Sequence, residues 1–141
     1  ALLVVVDRHP GLPEPGAIQQ PEHPLFTFIS DNKVKGISDV HAVTFHVGNN
    51  ASRARWSMPD DVLHAALVGD ATPWLGGATV TESQLVRWRY AGPTVPWPEP
   101  CLVVQEGPRP IVLAGDAFDG PKFEGAFRSG LAAARTLLAR A

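Results

Sequence analysis

The chain contains one cysteine, Cys101, among 141 residues, so no disulfide can form within it. A lone cysteine is consistent with a reducing compartment, and its simplest role is that of a small apolar residue opening a strand. No apolar run approaches the ~20 residues that a membrane-spanning helix needs, and the longest, "ALLVVV" at the start, is far too short. Charge of one sign is lacking too: the net charge is -2, which gives no electrostatic case for nucleic acid or an anionic membrane.

Several catalytic signatures are also missing. The chain has no G-x-G-x-x-G and no G-x-S-x-G elbow, and Ser129 falls inside a predicted helix. "GPKFEG" has the glycine spacing of a phosphate loop, but Ala126-Phe127 follow where that loop requires Lys and Ser or Thr. Among the five histidines there is no H-x-x-x-H, and no Cys/His pair accompanies them. His41 and His46 lie an odd number apart on one predicted strand and so face opposite sides, which argues against a metal site. "NAS" at Asn50 matches a glycosylation acceptor, which has no bearing without secretion.

What is present is an ordinary globular composition, 45% hydrophobic and 18% charged, in a length that supports a real core. Fourteen prolines and thirteen glycines fall mostly between apolar runs, as loops should. Strands are expected at 1–6, around 17–20, at 25–30 and at 41–47, the last two paired antiparallel across the polar turn "DNKVKG". "SMPDD" reads as a helix start, with Ser57 able to cap and Asp60 and Asp61 favouring the positive end. Val62, Leu63, Ala66 and Leu67 form the stripe that this helix would bury, with Trp74 as a further candidate.

Residues 79–90 read as strand, alternating through Arg87, Trp88, Arg89 and Tyr90, and "AGPTVPWPEP" follows as a proline-stiffened loop. Two short strands at 101–105 and 111–114 surround the turn "EGPRP", and a last helix runs from about Phe123 to Arg140. Strands, one helix, more strands and a terminal helix argue for an α+β fold with a largely antiparallel sheet. The ending differs in kind, because a strand, a glycine-rich turn and a helix resemble half of a nucleotide-binding unit. In that helix Gly125, Ser129 and Ala133 recur every four residues as a stripe of small side chains. Phe123, Phe127, Leu131 and Leu138 give an apolar face, so the helix is expected to be buried on much of its circumference. Its first turn would aim free N–H groups and a positive dipole past Asp116, toward either a ligand or a simple cap.

"GDAF…FEGAFRSGLAAARTLL" resembles the C-terminal flavin-binding segment of the FAD-dependent amine oxidase superfamily, and within it the renalase-like branch. "LLVVVDRHPGLPEPG", "FISDNKVKG", "FHVGNNASR" and "VRWRYAGP" are similar to successive parts of the substrate domain of these proteins. The resemblance implies a substrate-binding domain at 1–98 and, at 99–141, the C-terminal return segment of an FAD-binding domain. The N-terminal dinucleotide unit would then lie outside this chain, and a longer oxidoreductase is expected to supply it as the missing partner half. Carried over, Gly115, Asp116, Phe123, Glu124 and Gly125 would contact FAD, Asp116 accepting hydrogen bonds from its ribityl and pyrophosphate region. Amides near Phe123 and Glu124 would face the flavin's pyrimidine edge, where a helix dipole favours the reduced form by ~1–2 kcal/mol. His46 and Trp88 match positions that wall the catalytic pocket.

One departure is Ala51, where relatives often carry Trp, so that wall would be open. The implied activity is oxidation of a small reduced substrate, an amine or a dihydronicotinamide, with O2 as acceptor, in the cytoplasm. The implied partners are that small molecule and the missing FAD-binding half, with no metal. Alone, the chain is expected to be inactive, to hold FAD weakly and to self-associate through exposed interface surface. The alternative is a non-catalytic α+β binding or assembly module, in which Asp116 merely braces a turn.

Overall fold

The structure, a computed structural model, describes residues 1–140. It is α+β and divides into two compact units, Ala1–Trp88 and Arg89–Ala141. This division falls ahead of the proline-rich loop, whereas the sequence suggests a border after residue 98. The loop goes with the second unit because Trp97 bridges Phe118, its N–H donating to the Ala117 carbonyl at 2.7 Å.

The first unit is a five-stranded sheet of β1 (Leu2–Val6), β2 (Ala17–Gln19), β3 (Phe26–Asp31), β4 (Ala42–Val47) and β5 (Val80–Leu85), in the order β2-β3-β4-β1-β5. All neighbours are antiparallel, and β3 and β4 form the expected hairpin. Alternation along each strand separates two faces. Leu2, Val4, Val6, Phe26, Ile29, Val43 and Phe45 are buried on the inner one. The registers Leu2↔Phe45 and Val4↔Val43 stack these apolar side chains directly across the strands. Each fully buried Leu or Phe contributes roughly 1.5–3 kcal/mol of transfer free energy.

Two helices stand between β4 and β5. The short α1 (Asn49–Ala54) begins directly after β4 and has no counterpart in the sequence reading. The longer α2 (Asp60–Ala71) begins at the expected place, with Asp60 and Asp61 in its first turn. Ser57 does not cap it: Pro59 occupies the N-cap, and no side-chain cap bond is made. Its buried stripe is Leu63, Leu67 and Ala71, while Val62 and Ala66 are exposed. The covered arc is thus narrower than the sequence suggests, since α2 meets one face of one sheet.

The second unit holds α3 (Phe123–Leu138) and the hairpin of β6 (Leu102–Gln105) and β7 (Ile111–Leu113). Its buried residues, among those described, are few: Phe118, Gly125 and Ser129. Broad burial of α3 is not what the structure contains. Phe123, Phe127, Leu131 and Leu138 are all exposed, and within α3 Gly125 and Ser129 alone are buried.

Candidate functional site

His46 lies on the outer face of the first unit's sheet. Opposed residues share a face, and His46 pairs with Phe28, while Thr44 pairs with Ser30 and Leu3, and Leu3 with Gln84. The rings of His46 and Phe28 meet edge-on with centroids 5.5 Å apart. Partial burial holds the His46 pKa below its ordinary value, aided by the amino group of Ala1 and then by Lys35. The imidazole is therefore biased to its neutral form near pH 7, able to accept a proton at a ring nitrogen. A shallow hollow of about 280 Å³ opens on the same face, with Leu3, Val5, Asn32, Ala42, Thr44, Glu82 and Gln84 among its lining.

Trp88 is not on a strand. The chain leaves β5 after Leu85 because Arg87 turns aside. Its guanidinium donates to the carbonyls of Trp56 and Met58 and to the Asp60 carboxylate. It also lies 5.5 Å over the Trp56 ring. The alternation from Arg87 to Tyr90 therefore misleads, and Trp88 is 71% exposed, neither a core residue nor stacked on His46.

The cofactor-type residues gather in the second unit. Gly115 has φ +145, a conformation that disfavours any side chain, and a Cβ there would enter open space. Its N–H donates to Ser129 Oγ at 2.9 Å, and Ser129 is fully buried, so the strand end is tied to the middle of α3. Gly125 is required for a different reason. A Cβ on it would stand 2.3 Å from the Gly120 carbonyl oxygen and 2.7 Å from that of Asp119. Only glycine lets the first turn of α3 press against the preceding loop.

No side chain caps this helix end. Phe123, Glu124 and Gly125 precede the first ladder bond, from Ala126 N–H to the Lys122 carbonyl, so their amides belong to the unsatisfied first turn. Glu124 and Asp119 share Arg128, at 3.5 and 3.8 Å. Asp116 is exposed and has no hydrogen bond or ion pair within the described chain. A turn that used Asp116 as a brace would occupy that carboxylate.

Sequence reasoning passed over two groups in the first unit. The buried Asp31 places Oδ2 2.6 Å from His41 Nδ1, and its Oδ1 accepts the Lys33 N–H at 3.0 Å. His41 in turn packs edge-on against His9, with centroids 5.2 Å apart. The sequence signal was an acid and a histidine flanking the β3–β4 turn. The second group is Lys35, whose ammonium donates to Ser30 Oγ at 3.4 Å and Asn32 Oδ1 at 3.2 Å. Asn32 also donates to Thr44 Oγ1 at 3.0 Å.

Among the described residues, no set of three or more His, Cys, Asp or Glu is grouped to hold a metal, and no helix is long and apolar enough to cross a membrane. Comparison with known proteins finds no family model that matches this chain and no curated protein similar to it. The fit to FAD therefore rests on chemistry. A carboxylate free to accept from hydroxyls, an open glycine turn and an uncapped helix end suit a ligand with a polyhydroxyl chain and an electron-rich carbonyl edge.

Proposed function

We propose that this chain is the substrate-domain and C-terminal portion of a renalase-like FAD-dependent oxidoreductase of the amine oxidase superfamily. It acts on a small reduced amine or dihydronicotinamide, with O2 as the acceptor and the cytoplasm as its setting. The observation that carries this reading is the unengaged Asp116 carboxylate on a glycine-opened turn ahead of an uncapped α3. Bound FAD supplies the two-electron acceptor. Asp116 would accept from its hydroxyls, and the first-turn amides of α3 would donate to its carbonyl edge, where the helix dipole would favour added negative charge. Ser129, through Gly115, keeps the turn in register with those amides. On the substrate side, His46 and Phe28 give a neutral, partly apolar surface, and Trp88 an exposed aromatic one. The test is oxygen consumption by the longer protein, given small amines and dihydronicotinamides in turn. Turnover with peroxide release supports the proposal, and flavin loading without turnover on either class removes the oxidase assignment.

A second reading, a non-catalytic binding or assembly module, draws on the exposed apolar side of α3, where Phe123 is 89% and Leu138 78% exposed. Patches of this kind drive self-association. Light scattering of the chain at rising concentration separates the two. Under the first reading, Phe127→Asp breaks self-association and leaves flavin binding by the longer protein intact. Under the second, there is no flavin binding to preserve.

A further inference from the structure

The outer face of the five-stranded sheet has an order that the substrate reading does not use. Glu82 pairs with Val5, Val5 with Ala42, and the Asn32 N–H donates to the Ala42 carbonyl at 2.9 Å. These four residues therefore form one row across β5, β1 and β4 to the turn just after β3. The next row is Gln84, Leu3, Thr44 and Ser30. In both rows the middle is apolar or small and the ends are polar. Ala42 and Thr44, short side chains beside Val5 and Leu3, line the hollow of about 280 Å³.

The two margins carry opposite charge. On the β5 side, the Glu82 carboxylate makes no hydrogen bond or ion pair within the described chain. On the β3 side stands Lys35, which spends two donors on Ser30 and Asn32 and keeps a third free. Its charge is felt on this face, since it helps to lower the His46 pKa. Three strand spacings, roughly 14 Å, separate the two backbones. Side chains as long as Lys and Glu can narrow that to the span of one aromatic ring bearing a charge at each end. The volume lies just under the ~300–1,000 Å³ typical of pockets for drug-sized ligands, so the occupant is small.

We propose that this hollow recognises a small amphoteric molecule with a flat apolar body, its anionic end at Lys35 and its cationic end at Glu82. Val5 and Leu3 form the floor, and Asn32, Thr44 and Gln84 set its orientation by hydrogen bonding. The proposal rests on the functional reading above only in assigning this face to substrate, and it narrows the substrate from any small amine to one that also carries an acid.

The test needs no flavin. Two-dimensional NMR of the 141-residue chain would follow titration with 4-(aminomethyl)benzoate, benzylamine and benzoate. The amphoteric probe is expected to bind most tightly and to shift the amides of Leu3, Val5, Ala42 and Thr44. Lys35→Met should weaken it roughly two- to fivefold and leave benzylamine unchanged, while Glu82→Gln does the same against benzoate. Should Lys35→Met disturb the hairpin, the Val43 and Phe45 amides would reveal it, and Glu82→Gln at the exposed edge carries the test. Equal binding of the three probes, or shifts confined to other surfaces, overturns the proposal. Selective binding beside a colourless longer protein keeps the hollow and removes the oxidoreductase. The reverse result removes the hollow and keeps the oxidoreductase.

Discussion

The two units solve the stability problem differently. Ala1–Trp88 has a continuous core of strand and helix side chains, from Leu2 to Ala78. Among the described residues, Arg89–Ala141 buries one large apolar side chain, Phe118, and otherwise relies on close backbone contact around two glycines and a serine. A core of the first kind holds its shape by area removed from water, whereas contacts of the second kind hold a particular turn. In the proposed function the first unit is a scaffold presenting a face, and the second is a tightly specified loop presenting amides and a carboxylate.

The largest effect that would sharpen this contrast comes from matched aromatic deletions. Phe45→Ala removes a fully buried ring and should cost about 3–5 kcal/mol in the first unit. Phe127→Ala, at a position 59% exposed, should cost less than about 1 kcal/mol in the second. Urea unfolding followed by NMR in each unit would show it, and equal losses would break the comparison.

Two glycines of α3 provide the next test. Gly125→Ala forces the loop carbonyls of Asp119 and Gly120 away and should destabilise the second unit by roughly 1–3 kcal/mol. Gly130→Ala meets nothing within 4 Å in the same helix and should stabilise it by roughly 0.5–1 kcal/mol. Thermal melts of the two variants should therefore move in opposite directions.

The smallest effect is a titration. The His46 pKa is held down in the folded chain, so the unfolded chain binds more protons through the window just below pH 6.5. The His46 contribution to stability is accordingly intact above that value and declines as pH falls toward the folded pKa. Its size is small because the residue is largely solvated. NMR of the ring should give a midpoint below 6.5 that Lys35→Met moves upward, and an unchanged midpoint would remove Lys35 from the outer face.

Sequence reasoning reached the hairpin of β3 and β4 because two apolar, β-rich runs flank a polar turn ending at Gly36. It also reached α3, whose length and alanine-rich apolar periodicity leave little choice. It extended β5 too far, since "VRWRY" alternates like a strand, and what ends the strand is Arg87 reaching to Trp56, Met58 and Asp60. Burial of α3 was overestimated because periodicity identifies an apolar side without identifying what covers it. Of the candidate site, Gly115, Asp116 and Gly125 were legible from the motif. Ser129 as the anchor of Gly115, and Lys35 as the charge on the outer face, were not. Each depends on two segments meeting in space, which no local pattern encodes.

The central claim is that Asp116 and the first turn of α3 belong to a flavin site. Its most direct test is the visible absorption spectrum of the longer protein containing this chain, purified without added cofactor, beside its Asp116→Ala variant. The account predicts a flavin band in the parent that weakens in the variant. A colourless parent that gains no band on addition of FAD would contradict it and leave the assembly module as the standing explanation.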